Sequence, residues 1–132
     1  MIFVDTSFWV ALRNRRDDRH AAAVALLERH GDVPLITTNH VRGETWTFLR
    51  RRAGHAAAVD FLDALAGSSR VQVQLIGADL EDEALGWLRR HDERAYSFVD
   101  ATSFVLMREL RIREALAFDG DFSAAGFVEL RA

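Results

Sequence analysis

The chain contains no cysteine among its 132 residues, which excludes disulfide bonds and thiolate metal sites. Any metal ion must therefore bind to oxygen or imidazole ligands. A single proline and the absence of low-complexity segments argue against a long disordered region. The first apolar run, residues 1–4, ends at Asp5 and is too short for a signal peptide, and no later run approaches a membrane span. We therefore expect one soluble, cytoplasmic domain over residues 1–132.

Lysine is absent as well, and all 17 basic residues are arginine. GC-rich codon usage would explain this bias, and so would the fit of guanidinium groups to phosphates. The formal net charge of −3 is not typical of a nucleic-acid-binding protein. Composition alone therefore leaves the class of ligand open.

Short apolar segments alternate with longer helical ones along the chain. The pattern predicts strands at 2–5, 34–37, 70–76, 115–119 and 127–131, and helices at 6–14, 17–30, 40–53, 55–66, 79–90 and 97–110. This alternation predicts an α/β fold, in which a mostly parallel central sheet is flanked by helices on both faces. In such folds the functional site lies beyond the carboxyl ends of the strands.

Polar residues mark where several of these helices are expected to begin. Thr6 or Ser7 is predicted to cap the first helix, and Asn39 the third. Asp17 and Asp18 are predicted to open the second helix.

Four carboxylates occupy positions that need an explanation. Asp5 and Asp119 each end an apolar strand, so both lie at the carboxyl edge of the predicted sheet, where neighbouring strands are about 5 Å apart. Asp100 lies on a helix that is apolar nearly all round, and a buried aspartate is rare unless it is paired or bound to a metal ion. Glu44 lies at the edge of the apolar face of its helix.

Each acid taken alone has a simpler interpretation. Asp5 could be a helix cap or turn residue, and Asp100 could be a first-turn residue held by backbone amides near Ser97. Glu44 could point into water, and Asp121 could be an ordinary loop residue.

The four acids together would be costly to hold in one place. If they gathered within about 7 Å, each pair of ionised carboxylates would repel by roughly 2 kcal/mol at an effective dielectric near 20. Six pairs would cost on the order of 10 kcal/mol, which is comparable to the stability of a small domain. Such a cluster persists only if some members are protonated or a cation neutralises them. Oxygen ligands without cysteine favour Mg²⁺ or Mn²⁺.

Four motifs, in this order along nearly the whole chain, resemble those of VapC-type PIN domains. They are FVDTS at 3–7, NHVRGETW at 39–46, YSFVDATSF at 96–104 and AFDGDF at 117–122. Each motif is weak alone, and the ordered set is specific. One departure is the Ala117-Phe118 pair, because many relatives carry threonine or serine just before the last acid.

The resemblance implies a Rossmann-like PIN domain with acids around one or two divalent metal ions, Mg²⁺ first and Mn²⁺ as the alternative. By motif match the catalytic and metal-binding quartet is Asp5, Glu44, Asp100 and Asp119. Asp121 matches a frequent additional metal-binding acid, and Ser7 matches a hydroxyl residue that supports the first aspartate.

The resemblance also implies the activity and the partners. A VapC-type toxin is an endoribonuclease that hydrolyses RNA to a 5′-phosphate and a 3′-hydroxyl, forms a homodimer and is neutralised by a VapB-like antitoxin. The wording of the second and third motifs favours the sarcin–ricin loop of large ribosomal RNA as substrate, with transfer RNA as the alternative. Candidate RNA-binding patches are two arginine clusters, Arg13, Arg15 and Arg16, and Arg50, Arg51 and Arg52.

Two other enzyme or signalling classes also gather aspartates at the ends of parallel strands, and each requires a residue that is missing. A response-regulator receiver needs a lysine beside its phosphorylated aspartate, and the chain has none. A haloacid-dehalogenase-type phosphatase has a second acid two residues after its nucleophile, where this chain has Ser7. A non-catalytic PIN module that binds RNA or a protein partner remains the alternative, although such modules usually lose one or more of the acids.

Overall fold

The computed structural model describes residues 1–132 as five strands and seven helices. The strands are β1 (Ile2–Val4), β2 (Leu35–Thr38), β3 (Val71–Gln74), β4 (Glu114–Leu116) and β5 (Val128–Glu129). The helices are α1 (Thr6–Arg13), α2 (His20–Arg29), α3 (Asn39–Arg52), α4 (His55–Gly67), α5 (Ala78–Arg90), α6 (Phe98–Glu109) and α7 (Asp121–Ala124). No helix combines the length and the apolar character that crossing a bilayer would need.

All five strands pair in parallel, in the order β3-β2-β1-β4-β5. The chain builds the sheet outward from β1 to β3 and then returns to the other side of β1 for β4 and β5. The strand order therefore reverses beside β1, and in open parallel sheets the ligand site lies at the carboxyl ends of the strands at this point. The predicted α/β fold with a parallel central sheet is confirmed.

The two central strands β1 and β2 are buried along their whole length. Strands covered by helices on both faces lose their alternation of polar and apolar residues, which is why β1 reads as the continuous run IFV. Thr37 is a polar exception in β2, and its hydroxyl donates to Val4 O at 2.9 Å and accepts from Trp9 Nε1 at 3.4 Å. The buried hydroxyl is thus satisfied, as polar groups in a core must be.

The caps of the first and third helices lie before the residues that the sequence analysis named. Asp5 caps α1, with its carboxylate accepting from Ser7 N, so neither Thr6 nor Ser7 is the cap. Thr38 caps α3 by accepting from Val41 N at 3.0 Å.

Hydrogen bonds explain why Asn39 and Asp17 do not begin the helices predicted for them. Asn39 is not a cap, because its side chain accepts instead from Ile76 N at 2.7 Å. Asp17 accepts from Arg19 N at 2.9 Å in a turn, so α2 starts only at His20. The sequence analysis missed α7 altogether, a single turn of four residues.

An aromatic cluster around Phe104 of α6, which is fully buried, joins α5, α6 and α7. Its ring centroid lies 5.1 Å from that of Trp87, 4.9 Å from that of Phe122 and 5.5 Å from that of Phe127. Because Asp100 lies one turn earlier on α6 and Phe122 directly follows Asp121, this packing also fixes two acids relative to each other.

We expect Phe104→Ala to lower the free energy of unfolding by about 3 to 5 kcal/mol, since it leaves a cavity among these rings. Phe104→Leu should cost less than half of that because it refills most of the volume. Urea unfolding followed by tryptophan fluorescence measures both. A loss below about 1 kcal/mol for the alanine variant would show that the cluster does not hold these elements together.

Candidate metal centre and active site

Asp5 stands at the carboxyl end of β1 and is almost completely buried. Its Oδ2 accepts from Ser7 Oγ at 2.7 Å and from Ser7 N at 3.1 Å. Ser7 Oγ accepts in turn from Phe118 N at 3.0 Å. One hydroxyl therefore orients the Asp5 carboxylate and ties the end of β1 to the segment that follows β4.

Asp119 and Asp121 lie in the tight loop after β4. Gly120 between them has a φ of 82°, a left-handed conformation that side chains disfavour. Asp119 Oδ1 accepts from Asp121 N at 3.1 Å. Arg94 spans the loop, with Nε donating to Asp121 Oδ1 at 2.6 Å and Nη2 donating to Asp119 O at 3.0 Å. The loop thus presents two carboxylates side by side under one guanidinium group.

Asp100 belongs to the first turn of α6 and takes part in a capping box. Its Oδ2 accepts from Ser97 N at 3.1 Å, and Ser97 Oγ accepts from Asp100 N at 2.9 Å. The interpretation as a first-turn residue and the interpretation as a cluster member therefore both hold. One carboxylate oxygen each of Asp100, Asp119 and Asp121 lies within 4.8 Å of the others.

Glu44 comes from α3 and lines a cavity of about 410 Å³ together with Asp5 and Asp119. The cavity lies at the carboxyl edge of the sheet, where β1 and β4 are neighbours. Asp100 and Asp121 are not part of this lining, and lie beside Asp119 on the α6 side. The structure thus gathers the four aspartates and adds Glu44 from the cavity wall.

Burial and crowding make three of these acids hard to ionise. Burial, with the carboxylates of Asp119 and Asp100 next, raises the pKa of Asp5 from 3.8 to about 8, although hydrogen bonds from Ser7 oppose the shift. Burial also raises the pKa of Asp100 to about 7, and Asp121 and Asp119 add to this shift. Partial loss of water raises the pKa of Asp119, with Asp121 and Glu129 contributing. Without a cation the cluster therefore retains protons near neutral pH.

These residues fit a divalent cation. The donors are all carboxylate oxygens, which Mg²⁺ and Mn²⁺ prefer. Two ligand oxygens on opposite sides of Mg²⁺ are about 4 Å apart, because each bond is roughly 2.0 to 2.1 Å long. The Asp100, Asp119 and Asp121 oxygens lie within 4.8 Å of one another, so small side-chain movements would close them around one ion.

The sequence model of the PIN domain matches residues 2–128. The chain belongs to the PIN domain family. The resemblance seen in the four motifs is thereby confirmed. Nucleases of this family use divalent metal ions, which the aspartate cluster of this PIN domain could bind.

Several relatives of this PIN domain have names that describe their activity. The chain is 60% identical over 131 residues to the 23S rRNA-specific endonuclease VapC20 from two strains of Mycobacterium tuberculosis, covering 99% of this chain and 98% of the relative. It is 27% identical over 124 residues to a VapC ribonuclease of Archaeoglobus fulgidus, covering 91% of this chain and 78% of that protein. The crystal structure of M. tuberculosis VapC20, a sarcin–ricin loop cleaving toxin, superposes with a TM-score of 0.94 at 57% identity over the whole of both chains.

The sequence analysis missed two residues that support the acidic loop of this PIN domain. Arg94 lies in a polar connection with no motif around it. Glu129 lies in the short strand β5 and is buried, with Oε1 accepting from Gly120 N at 3.3 Å and Oε2 from Ser123 N at 2.9 Å. A glutamate in a predicted edge strand gives no sign of such a contact, because its partners are backbone groups of another element.

The raised pKa values of Asp5 and Asp100 predict a stability that depends on pH in the absence of metal. Both folded-state values lie above the unfolded-state value, so the folded protein keeps protons that the unfolded chain releases. The free energy of unfolding should therefore fall as pH rises from about 4 to about 8 and then level off above the folded-state pKa values.

Thermal or urea unfolding in EDTA at pH 5, 6, 7 and 8 measures this loss. Asp5→Asn keeps the oxygen that caps α1 but cannot ionise, so it should remove much of the slope and be more stable than the wild type at pH 8. Added Mn²⁺ should stabilise the wild type increasingly over the same range, because binding requires ionised carboxylates. Parallel pH profiles of stability for the wild type and Asp5→Asn would contradict the raised pKa of Asp5.

Glu129→Ala should weaken Mn²⁺ binding, because the loop that carries Asp119 and Asp121 loses two hydrogen bonds to a buried carboxylate. The free energy of unfolding should fall by about 1 to 3 kcal/mol, the cost of leaving buried N–H groups unsatisfied. Glu129→Gln keeps one acceptor, so its Mn²⁺ affinity and its free energy of unfolding should lie between those of the wild type and Glu129→Ala. Calorimetric Mn²⁺ titration gives the affinity, with the exposed Glu114→Gln of the neighbouring strand as the matched control. Unchanged Mn²⁺ affinity in Glu129→Ala would remove its supporting role.

Proposed function

We propose that the chain is a Mg²⁺-dependent endoribonuclease of the VapC type, a toxin that cleaves the sarcin–ricin loop of 23S ribosomal RNA and so inhibits translation. The observation that carries the proposal is the aspartate cluster at the carboxyl ends of β1 and β4, in which Asp5 and Asp100 are buried. It occurs in a chain that is 60% identical to VapC20 along nearly its whole length. Close similarity over the full domain, rather than the fold alone, supports the ribosomal substrate.

The four aspartates lie together, and Glu44 lies apart from them on the cavity wall. Asp100, Asp119 and Asp121 would hold one divalent ion, and Asp5 lies beside them, oriented by Ser7. Glu44 reaches the cavity from a different element, so its carboxylate is available to orient or deprotonate the attacking water.

The chemistry is hydrolysis at phosphorus. A bound divalent ion lowers the pKa of a coordinated water and offsets the negative charge that develops on the phosphate. The oxygen of the water forms the new bond to phosphorus and the bond to O3′ breaks. The products are then a 5′-phosphate and a 3′-hydroxyl. The residues of this chain contribute by excluding bulk water around Asp5 and Asp100 and by fixing the carboxylates in place.

VapC toxins generally pair with VapB antitoxins, and we extend the antitoxin partner to this chain. A homodimer and a cytoplasmic location, where ribosomes and antitoxin are found, belong to the same proposal. Light scattering of the purified protein measures the mass in solution. A monomer at micromolar concentration would remove the homodimer from the proposal without affecting the nuclease.

Purified protein should cleave an oligonucleotide of the sarcin–ricin loop at one position when Mg²⁺ is present and not in EDTA. Asp5→Asn and Glu44→Gln should each lower the rate by at least about 100-fold, since each removes a charge from the site. Asp63→Asn, an exposed acid of α4, is the matched control and should cleave like the wild type. Sequencing of the RNA ends identifies the cut and the end groups.

Other outcomes of this experiment would change the substrate, the activity or the site in the proposal. Cleavage of transfer RNA in preference to the ribosomal loop would replace the substrate and keep the reaction. RNA binding without cleavage under every condition would support a non-catalytic PIN module. Cleavage that persists in EDTA or in Asp5→Asn would show that the aspartate cluster is not the active site.

A further inference from the structure

The cavity that contains Asp5, Glu44 and Asp119 is also lined by two arginines, Arg19 and Arg52. They come from different sides of the central strand. Arg52 ends α3, the helix that follows β2, while Arg19 lies over the segment that follows β4. Since β1 lies between β2 and β4, the two guanidinium groups flank the strand that carries Asp5.

Arg52 is the last of three side chains that face the cavity from one stripe of α3. Glu44, Phe48 and Arg52 are spaced four residues apart, so they share one face of the helix, and all three line the cavity. The guanidinium carbon of Arg52 lies 4.8 Å from the centroid of the Phe48 ring. Arg52 is two turns, about 12 Å, from Glu44 along the helix. It therefore stands at the rim, away from the acids.

Arg19 makes a similar pair on the other side of the cavity. Its guanidinium carbon lies 5.3 Å from the centroid of the Phe118 ring, and its Nη1 donates to Phe118 O. Phe118 directly precedes Asp119, so this pair borders the acidic loop. An arginine stacked on a ring loses little of its ability to bind phosphate, because the N–H groups lie along its edge.

The charges of both arginines remain available for a ligand. Neither forms an ion pair with a carboxylate, since the three ion pairs of the structure involve His40, His91 and Arg94. Both side chains are exposed. They are the only cationic residues among the twelve that line the cavity, five of which are acids. A polyanion that enters the cavity therefore has two fixed positive charges to meet.

We propose that Arg19 and Arg52 are substrate-positioning residues. They bind phosphates of the RNA strand on the two sides of the acid cluster and so hold the strand over a cavity whose other charged residues are acidic. This inference rests on the proposed function for the identity of the ligand as RNA. Phe48 and Phe118 orient the two guanidinium groups. Of the two arginine clusters that the sequence offers as RNA-binding patches, only Arg52 lines the cavity. Arg51 and Arg16 lie outside the lining, so we expect neither to contribute to binding in the cavity.

Matched arginine variants test the proposal with two separate readouts. The variants are Arg52→Ala and Arg19→Ala, and the controls of equal charge are Arg51→Ala and Arg16→Ala, both exposed residues outside the cavity lining. The first readout is the rate of cleavage of the sarcin–ricin loop oligonucleotide. The second is the affinity of the same RNA for each variant in the Asp5→Asn background with Mg²⁺, by fluorescence anisotropy at several salt concentrations.

Each cavity variant should lower kcat/KM by about 10-fold, mainly through KM, because it removes a charge-assisted hydrogen bond to phosphate. The slope of log affinity against log salt should become shallower by about 0.7 to 0.9 for each phosphate that is no longer bound. The controls should change affinity by less than about 2-fold, and melting temperatures should not change. Arg52→Lys should recover part of the affinity, and Phe48→Leu should weaken binding by about 2- to 5-fold.

The two hypotheses fail differently. A wild type that does not cleave the oligonucleotide, but binds it with a dependence on Arg19 and Arg52, would overturn the proposed nuclease and support the inference. A wild type that cleaves, with cavity variants that behave like Arg51→Ala and Arg16→Ala in both readouts, would overturn the inference. Equal salt slopes for all variants would also overturn it, because a phosphate that the protein no longer binds keeps its counterions.

Discussion

Crowding of negative charge at the carboxyl ends of β1 and β4 is the constraint on which the rest of this structure depends. The two strands are neighbours, so Asp5 and the loop containing Asp119 must lie together once the sheet forms. Burial of Asp5 and Asp100 removes the water that would otherwise stabilise their charges. The fold therefore holds a site that is unfavourable when fully ionised, and a bound cation would offset that cost.

The scaffold makes this arrangement tolerable by giving three of the acids a structural role. Asp5 caps α1, Asp100 belongs to the capping box of α6, and Asp121 begins α7. The amino termini of α1 and α6 thus point at the cluster, and their partial positive charge and free N–H groups favour carboxylates there. A helix cap and a metal ligand are therefore not competing interpretations of these residues, because the same oxygen-rich side chain at a helix start satisfies both requirements.

The sequence predicts the parts of this site that depend on chain order and local pattern. Apolar runs that end in Asp5 and Asp119 reveal two parallel strands with acids at the same edge, and the apolar surroundings of Asp100 reveal its burial. The motifs then group these residues with Glu44. Contacts between distant polar groups leave no such pattern. Glu129 binds backbone N–H groups of the acidic loop, and nothing around it in sequence differs from an ordinary edge strand. The predicted Asn39 cap is wrong for the same reason, since its partner Ile76 N is 37 residues away.

Arg94 reduces the charge that a metal ion would have to offset at this edge of the sheet. Its guanidinium group pairs with Asp121 and also binds the backbone of Asp119, so one of the four negative charges has a partner within the protein. A divalent ion together with Arg94 would offset three of the four charges and leave the centre close to neutral. The remaining negative charge, with that of Glu44, would still repel an RNA backbone at short range. The cationic side chains at the rim of the cavity would offset this repulsion locally, although the chain as a whole carries a net charge of −3.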